Sequence, residues 1–499
     1  MIMHNVIGGT LIALGALLAA VAVAAPQGSA IVIQDETSLR AAPRDSAQQQ
    51  AVLWQGEVVE VRGERMDHLQ VYDYRRERGG FVRASQVRRI TLTAPEAPEL
   101  LSLVRFVHDT SGAEALGIGM VAAYVQAAPP EMLDSPAGAD ALDALGTFAE
   151  RLALRASSGI KLSKPAETAL SAHLDVAARY GVNFATYERG GRMQMCYDGE
   201  AFRRVLAMTS TPEQRARAAL ALTRLDCVDP DQLPLARRRL DEWRAQVLDA
   251  VDASALPGYL KNRVLMRRAA VWGSLAFAQA RNGETADAAA TRALAELAGV
   301  NKNELTDDDV HKYTDAAMRV SASRWAAETA VAAPSFRNVA VTTAAGEPGE
   351  TCLSLVAAKS DAKTPQAALA KRCTYGIVWA NSATMNREGT ALAIAVQQTA
   401  TWRELWIFKK SGGGWTVSVL PPAAFSPDVG YAEFAGWVPG GKQILVAREA
   451  KGDGKYRKSF EVAQLDTLAV ERQARDASLL NAFQRWQDPS WKRQTLSLR

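Results

Sequence analysis

AVLWQGEVVEVRGERMDHLQVYDYRRERGGFVRASQV, residues 51–87, alternates short runs of β-branched and apolar residues with polar turns. Ala51 to Arg62 brackets Gln55-Gly56 with such residues, His68 to Tyr74 supplies a third strand, and Gly79-Gly80 reads as a turn into Phe81-Val82 before the run closes at Val87. Upstream, Ala30 to Gln34 alternates weakly and Thr37-Ser38-Leu39-Arg40-Ala41-Ala42-Pro43 leads into a polar stretch. Short strands at this spacing build a small barrel, so residues 29–91 are read as one β domain.

Beyond it the pattern changes twice. From Pro95 to about Ala332 it is helical: Leu240, Trp243, Val247 and Val251 mark one apolar stripe on a helix starting after Pro234. Thr211-Pro212-Glu213-Gln214 has the spacing of a capping box. Val182 to Tyr197 reads as a hairpin turning at Gly190-Gly191, with Met193, Met195 and Tyr197 on its buried face, and Trp272 to Leu297 as a helix pair around Asn282-Gly283-Glu284. From Phe336 to about Val470 the chain turns β-rich, with turns at Gly346–Gly349, Ser411–Gly414 and Pro439–Gly441. Asn386–Ala395 can be laid over Val438–Ala447, a turn-then-strand unit present twice.

Residues 29–91 resemble the bacterial SH3 family. Leu39-Arg40 followed by Pro43 matches its early motif, Gly56-Glu57-Val58-Val59-Glu60-Val61 its central strand, Gly80-Phe81-Val82 its closing glycine, aromatic and valine, and Ser85 to Val87 its terminal turn. His68 or Leu69 replaces the family's tryptophan before the third strand. The resemblance implies an SH3-like barrel that binds peptidoglycan through surface aromatics; the alternative is a barrel that packs against its own neighbour. Trp437-Val438-Pro439-Gly440-Gly441-Lys442 is similar to the blades of TolB and WD40-like propellers, although two copies cannot close a ring. A non-closed β domain is therefore expected.

The apolar stretch Val6–Ala25 ends in Ala22-Val23-Ala24-Ala25-Pro26, and the small residues Ala22 and Ala24 place a signal-peptide cut after Ala24. The leader lacks Lys and Arg before it, so an uncleaved anchor is the alternative; no cysteine lies near the cut to carry a lipid. No later stretch has the ~18 apolar residues of a membrane helix, so no membrane contact is expected after cleavage. The 499 residues carry 58 basic and 54 acidic side chains, net +4, which argues against nucleic acid as a partner. Arg75-Arg76 and Arg237-Arg238-Arg239 are read as solvated faces. Four cysteines in an exported chain read as disulfides, and neighbour pairing, Cys196 with Cys227 and Cys352 with Cys373, is the simplest of three connectivities.

Catalytic motifs are thin. The five histidines, at 4, 68, 108, 173 and 311, have no metal-ligand spacing. Ser158-Gly159-Ile160-Lys161 and Ser360-Asp361-Ala362-Lys363 fit SxxK without its partner motifs. Gly436–Lys442 has phosphate-loop spacing with Gln443 in place of the Ser or Thr, and Gly117, Gly119 and Ala122 sit in a helical stretch with no strand before them. Asp307-Asp308-Asp309 after Thr306 suits a helix N-terminus. No catalytic, cofactor or metal residue is therefore assigned.

The expectation is a multidomain α+β protein: signal peptide 1–24, a small SH3-like β-barrel at 29–91, a mostly helical domain at 95–332, an antiparallel β domain at 336–470 and a tail at 471–499. It is expected to be periplasmic or secreted, a binding or scaffold module whose partner is peptidoglycan or an envelope protein. The alternative is a peptidoglycan-active enzyme, or a regulator of one. Candidate contacts are Tyr72, Tyr74 and Arg83 in the barrel and Trp415 and Trp437 in the β domain.

Overall fold

The computed structural model describes residues 28–189, 191–329, 334–358, 367–424, 428–452 and 454–494. The expected signal peptide, Gly190 of the hairpin turn and Ser360-Asp361-Ala362-Lys363 lie outside the described residues. An N-terminal antiparallel sheet, a helical middle and a C-terminal sheet region follow one another. Contacts divide the chain into two compact units, Met1–Ala185 and Thr186–Arg499.

In the first unit seven strands, β1 (Ser29–Val32), β2 (Thr37–Arg40), β3 (Gln49–Leu53), β4 (Val58–Arg65), β5 (His68–Asp73), β6 (Arg78–Arg83) and β7 (Val87–Ile90), pair in the order β3-β2-β6-β5-β4-β1-β7. All the pairings are antiparallel. The two-residue period puts Val59, Val61, Leu69, Val71 and Val82 on one face with Ala30, Val32, Leu39 and Leu53. Each large side chain so buried stabilises by about 1.5–3 kcal/mol. Gly79-Gly80 does not turn the chain, contrary to expectation. Both glycines lie inside β6, and the reversal runs through Tyr74–Glu77, with Glu77 left-handed at φ 47°. A Cβ on Gly80 would stand 2.7 Å from Leu39 Cδ1, so this glycine serves packing.

Five helices follow: α1 (Ala97–Val107), α2 (Glu114–Ala127), α3 (Pro130–Leu133), α4 (Pro136–Ser157) and α5 (Lys164–Arg179). Helix α2, EALGIGMVAAYVQA, is apolar nearly all round and is buried accordingly. Its Gly117 faces the Phe148 ring of α4, and its Gly119 lies against the backbone of Gly56 in the β3–β4 turn, where a Cβ would meet Gly56 O at 2.7 Å. The glycine spacing in this helix serves close contact.

The second unit contains most of the two-stranded sheet of β8 (Phe184–Arg189) and β9 (Arg192–Tyr197). The expected Met face is not the buried one: Met193 is 60% exposed, and the buried member of β9 is Cys196, bonded to Cys227. Helices α6 (Glu200–Ala207), α7 (Pro212–Leu222), α8 (Pro234–Asp249), α9 (Gly258–Arg281), α10 (Asp287–Ala298) and α11 (Asp307–Ser323) come next. Thr211 and Gln214 form the capping box of α7, and Thr306 caps α11 ahead of its three aspartates. In α8 the buried face is Asp241, Arg244, Ala245 and Leu248, one residue round from the Leu240, Trp243, Val247 stripe. A buried ion pair causes the rotation: Arg244 Nη1 donates to Asp241 Oδ1 at 2.6 Å, and Arg244 also donates to the Thr223 carbonyl. The basic runs are likewise more than solvated faces: Arg76 pairs with Asp73 and Glu57, and Arg238 with Glu242 and Glu284.

The C-terminal strands form two hydrogen-bonded sheets, of three and eight strands, and the larger one folds into two meanders, so that three sheet layers follow one another. The first is β10 (Val339–Ala345), β11 (Thr351–Ala357) and β12 (Ala370–Thr374). The second is the meander β13 (Ile377–Met385), β14 (Ala391–Thr399), β15 (Trp402–Ser411) and β16 (Gly414–Leu420). The third is β17 (Val429–Val438), β18 (Gln443–Gly452), β19 (Lys455–Gln464) and β20 (Val470–Ala474). The expected turns fall between strands, and the two similar stretches become the β13–β14 and β17–β18 hairpins. The meanders touch edge to edge through a short parallel seam, Trp402 beside Gly430 and Arg403 beside Tyr431.

Face to face, Leu392, Ile394 and Val396 meet Val339, Val341, Leu353 and Leu355, while Ala391, Ala393 and Ile407 meet Ile444, Val446 and Ala463. The far face of the third sheet is covered by Met318 of α11 and by the C-terminal segment, whose α12 (Asn481–Trp486) and α13 (Pro489–Gln494) bring Phe483 and Trp491 onto Phe460. At the seam Glu433 lies between Arg324 and Arg403, all three buried, and Arg403 also donates to Ser321 O at 2.7 Å. Burial pushes Arg403 down to about 10, with Glu433 opposing. Cys352 and Cys373 sit directly opposite on β11 and β12 and are bonded.

Candidate functional site

Tyr72 and Tyr74 come together on the outer side of the N-terminal sheet. In β5 the residues Leu69, Val71 and Asp73 turn inward, so Tyr72 must turn outward, and Tyr74 follows on the same side. The rings pack edge to face with centroids 5.0 Å apart. Register places Glu60 of β4 directly opposite Tyr72, and the Arg62 guanidinium lies 4.0 Å from the Tyr72 ring centre, a cation–π distance. Tyr74 Oη donates to Glu60 Oε2 at 3.0 Å, and Arg62 Nε donates to the same oxygen at 2.9 Å. On the other flank Gly79 offers no side chain, and Tyr74 remains 68% exposed. The result is an aromatic platform edged by one cation and one carboxylate. Glu60 and Arg62 were not singled out from sequence, although their alternation with Val59 and Val61 was the signal for their outward face.

Arg83 does not join the platform. It pairs with His68 on the β5–β6 ladder, four residues from the Tyr72–Gly79 pair, and so lies about 13 Å along the strand. Its guanidinium is taken by Asp45, whose carboxyl that hydrogen bond holds below the ordinary carboxylate range. Trp415 and Trp437 are half-buried packing residues. Trp415 of β16 packs against the core shared with the first sheet, and the ring of Trp437 of β17 lies 5.0 Å from that of Phe434 in the core between the meanders. They occupy separate cores.

At a loop end of the same sheet a second polar cluster ties strands to helices. Glu57, 3% exposed, receives Arg76 and Arg75 from the β5–β6 turn and Arg179 from α5. Asp35 accepts from His173 Nε2 at 2.8 Å and from the Gln55 amide at 3.2 Å. Burial pushes Asp35 up, but the hydrogen bond and charge of His173 outweigh it, and the carboxyl lies below its ordinary value. Burial pushes the Tyr180 phenol up to about 12, so it stays protonated and donates to Gly56 O at 2.7 Å. These groups are joints between the strands and α5 with the residue after it.

One group of acidic and sulfur atoms converges among the described residues. Glu350, Cys352 and Cys373 converge within ligand distance of one another, but both sulfurs are in a disulfide and have no lone thiolate to give a metal. Ser158 and Lys161 are exposed at and just beyond the end of α4. No family model, curated protein or solved structure matches the chain.

Proposed function

We propose that this is an exported, non-enzymatic protein of the bacterial envelope, in which an SH3-like N-terminal barrel binds peptidoglycan through Tyr72, Tyr74, Arg62 and Glu60. The observation that carries the reading is the pair of the half-buried Tyr72 and the exposed Tyr74, edged by one cation and one carboxylate. Aromatic faces stack on sugar rings, while Arg62 and Glu60 suit the carboxylates and amines of cross-linking peptides. Two disulfides are consistent with an oxidising compartment, and no helix among the described residues is long and apolar enough to cross a membrane. In the same reading the stacked meanders correspond to blades of a propeller that does not close.

The test is retention of the purified protein on insoluble peptidoglycan, with a Tyr72→Ala, Tyr74→Ala double variant and an assay of released muropeptides. Retention lost in the double variant, without release, is the expected result. Release of muropeptides would instead establish a wall-active enzyme. Absence of retention would leave the barrel as an architectural part, a role that the Glu57 and Asp35 joints already give it.

A further inference from the structure

A groove of about 970 Å³ opens in the second unit where the apolar contact between the second and third sheets ends. Its floor follows from strand parity. Val446 and Ala463 lie in the core between the sheets, so Arg448 on β18 and Glu461, Ser459 and Arg457 on β19 must face the same way. Gln473 of β20 pairs with Glu461 and shares that face, and Arg475, just beyond the end of β20, lines the groove beside it. Pro422, Ala423 and Ala424, after β16, form the opposing wall.

The charges on this floor do not balance. Arg448 is matched: its Nε lies 3.0 Å from Glu461 Oε2, and its Nη1 donates to Pro421 O at 2.9 Å. Ser459 Oγ donates to the other Glu461 oxygen at 2.7 Å, which fixes that carboxylate. Lys458, at the rim, has Asp476 as a neighbouring charge. Arg457 and Arg475 are left over. Both are exposed, and neither has a hydrogen bond or an ion pair among the described residues. Two unmatched guanidinium forks therefore line one concave floor, beside a neutralised Arg–Glu pair and the amide of Gln473.

We propose that this groove binds a compound carrying two phosphate groups, one on Arg457 and one on Arg475, with Gln473 donating between them. Guanidinium forks match phosphate oxygens bidentately, and two forks call for two such groups. The volume is at the upper end for small-molecule sites and leaves room for a substituent beyond the phosphates. This site is separate from the Tyr72–Tyr74 platform, and neither reading depends on the other.

The experiment is calorimetric titration of the full chain with pyrophosphate, orthophosphate and citrate at low ionic strength. Pyrophosphate is expected to bind more tightly than orthophosphate or citrate. Arg457→Gln and Arg475→Gln should each weaken it about tenfold or more, the size of one lost charge-assisted contact. Lys442→Gln, which removes a positive charge in the β17–β18 turn at the other end of β18, should leave it unchanged. Phosphatidylcholine vesicles with and without a bisphosphorylated lipid then separate a membrane headgroup from a soluble phosphate ester as the source. No pyrophosphate binding, equal loss in Lys442→Gln, or citrate binding as tightly as pyrophosphate would each overturn the proposal.

Discussion

Asp35 joins the β1–β2 turn to α5 through a single imidazole, and its depressed pKa gives that joint a pH range. A carboxyl whose folded value lies below its unfolded value stabilises the fold above the unfolded value, here 3.8. The contribution disappears as the pH falls through the folded value. Asp35→Asn should therefore cost the Met1–Ala185 unit about 2 kcal/mol at pH 7, the scale of a hydrogen bond to a charged group. The variant and the natural protein should converge as the pH falls below the folded value; urea unfolding followed by circular dichroism at pH 7 and in a descending acid series would measure this. Neither Asp35 nor Glu57 announced itself in the amino-acid order. Arg75-Arg76 read as a solvated pair because the carboxylate that receives it is 18 residues away, in another turn. Local charge counting has no access to such partners.

At the scale of elements, features set by neighbours in sequence were readable and features set by distant contacts were not. The Thr211–Gln214 box, the Asn282-Gly283-Glu284 connection and the repeated β hairpins depend on local backbone chemistry and appear where their residues predict them. The α8 stripe and the Gly79-Gly80 turn were misread because a buried Arg244–Asp241 pair and the Leu39 side chain decide those positions. The joint between α11 and the sheet seam is of the second kind. Among the described residues Glu433 alone pairs with both Arg324 and Arg403, so Glu433→Ala would leave these two buried guanidinium groups without that counter-charge. A loss of about 3–5 kcal/mol is expected. Glu433→Gln should lose less, since its amide oxygen can still accept one bond. Chemical denaturation of both variants gives the comparison.

At the scale of the whole molecule, both disulfides lie in the Thr186–Arg499 unit, closing loops of 31 and 21 residues. Each bridge is worth about 3–4 kcal/mol in the chain-entropy model. Scanning calorimetry should therefore resolve two transitions, of which only one falls when the protein is reduced; a shift of both would contradict independent units. The coarse order of sheet, helices and sheets was visible in periodicity and turn residues. The basic groove was not, because Arg448 and Arg457 share a face only through the β18–β19 register and Arg475 joins them from beyond the end of β20. Of the outer platform the two tyrosines were visible, while Glu60 and Arg62 required the pairing of β4 with β5.

The contact between Gly56 and Gly119 bears on how this protein tolerates change. Gly56 has φ +82°, a Cβ on it would stand 2.2 Å from the Ala115 carbonyl oxygen, and Gly119 presses on it from the same helix. Since glycine is already the smallest residue, no second-site substitution can make room for a larger one at either position. Selection for a folded chain would hold both glycines fixed whatever the protein binds. Invariance at these two positions among future relatives would thus measure the closeness of a turn to a helix and carry no information about ligand recognition.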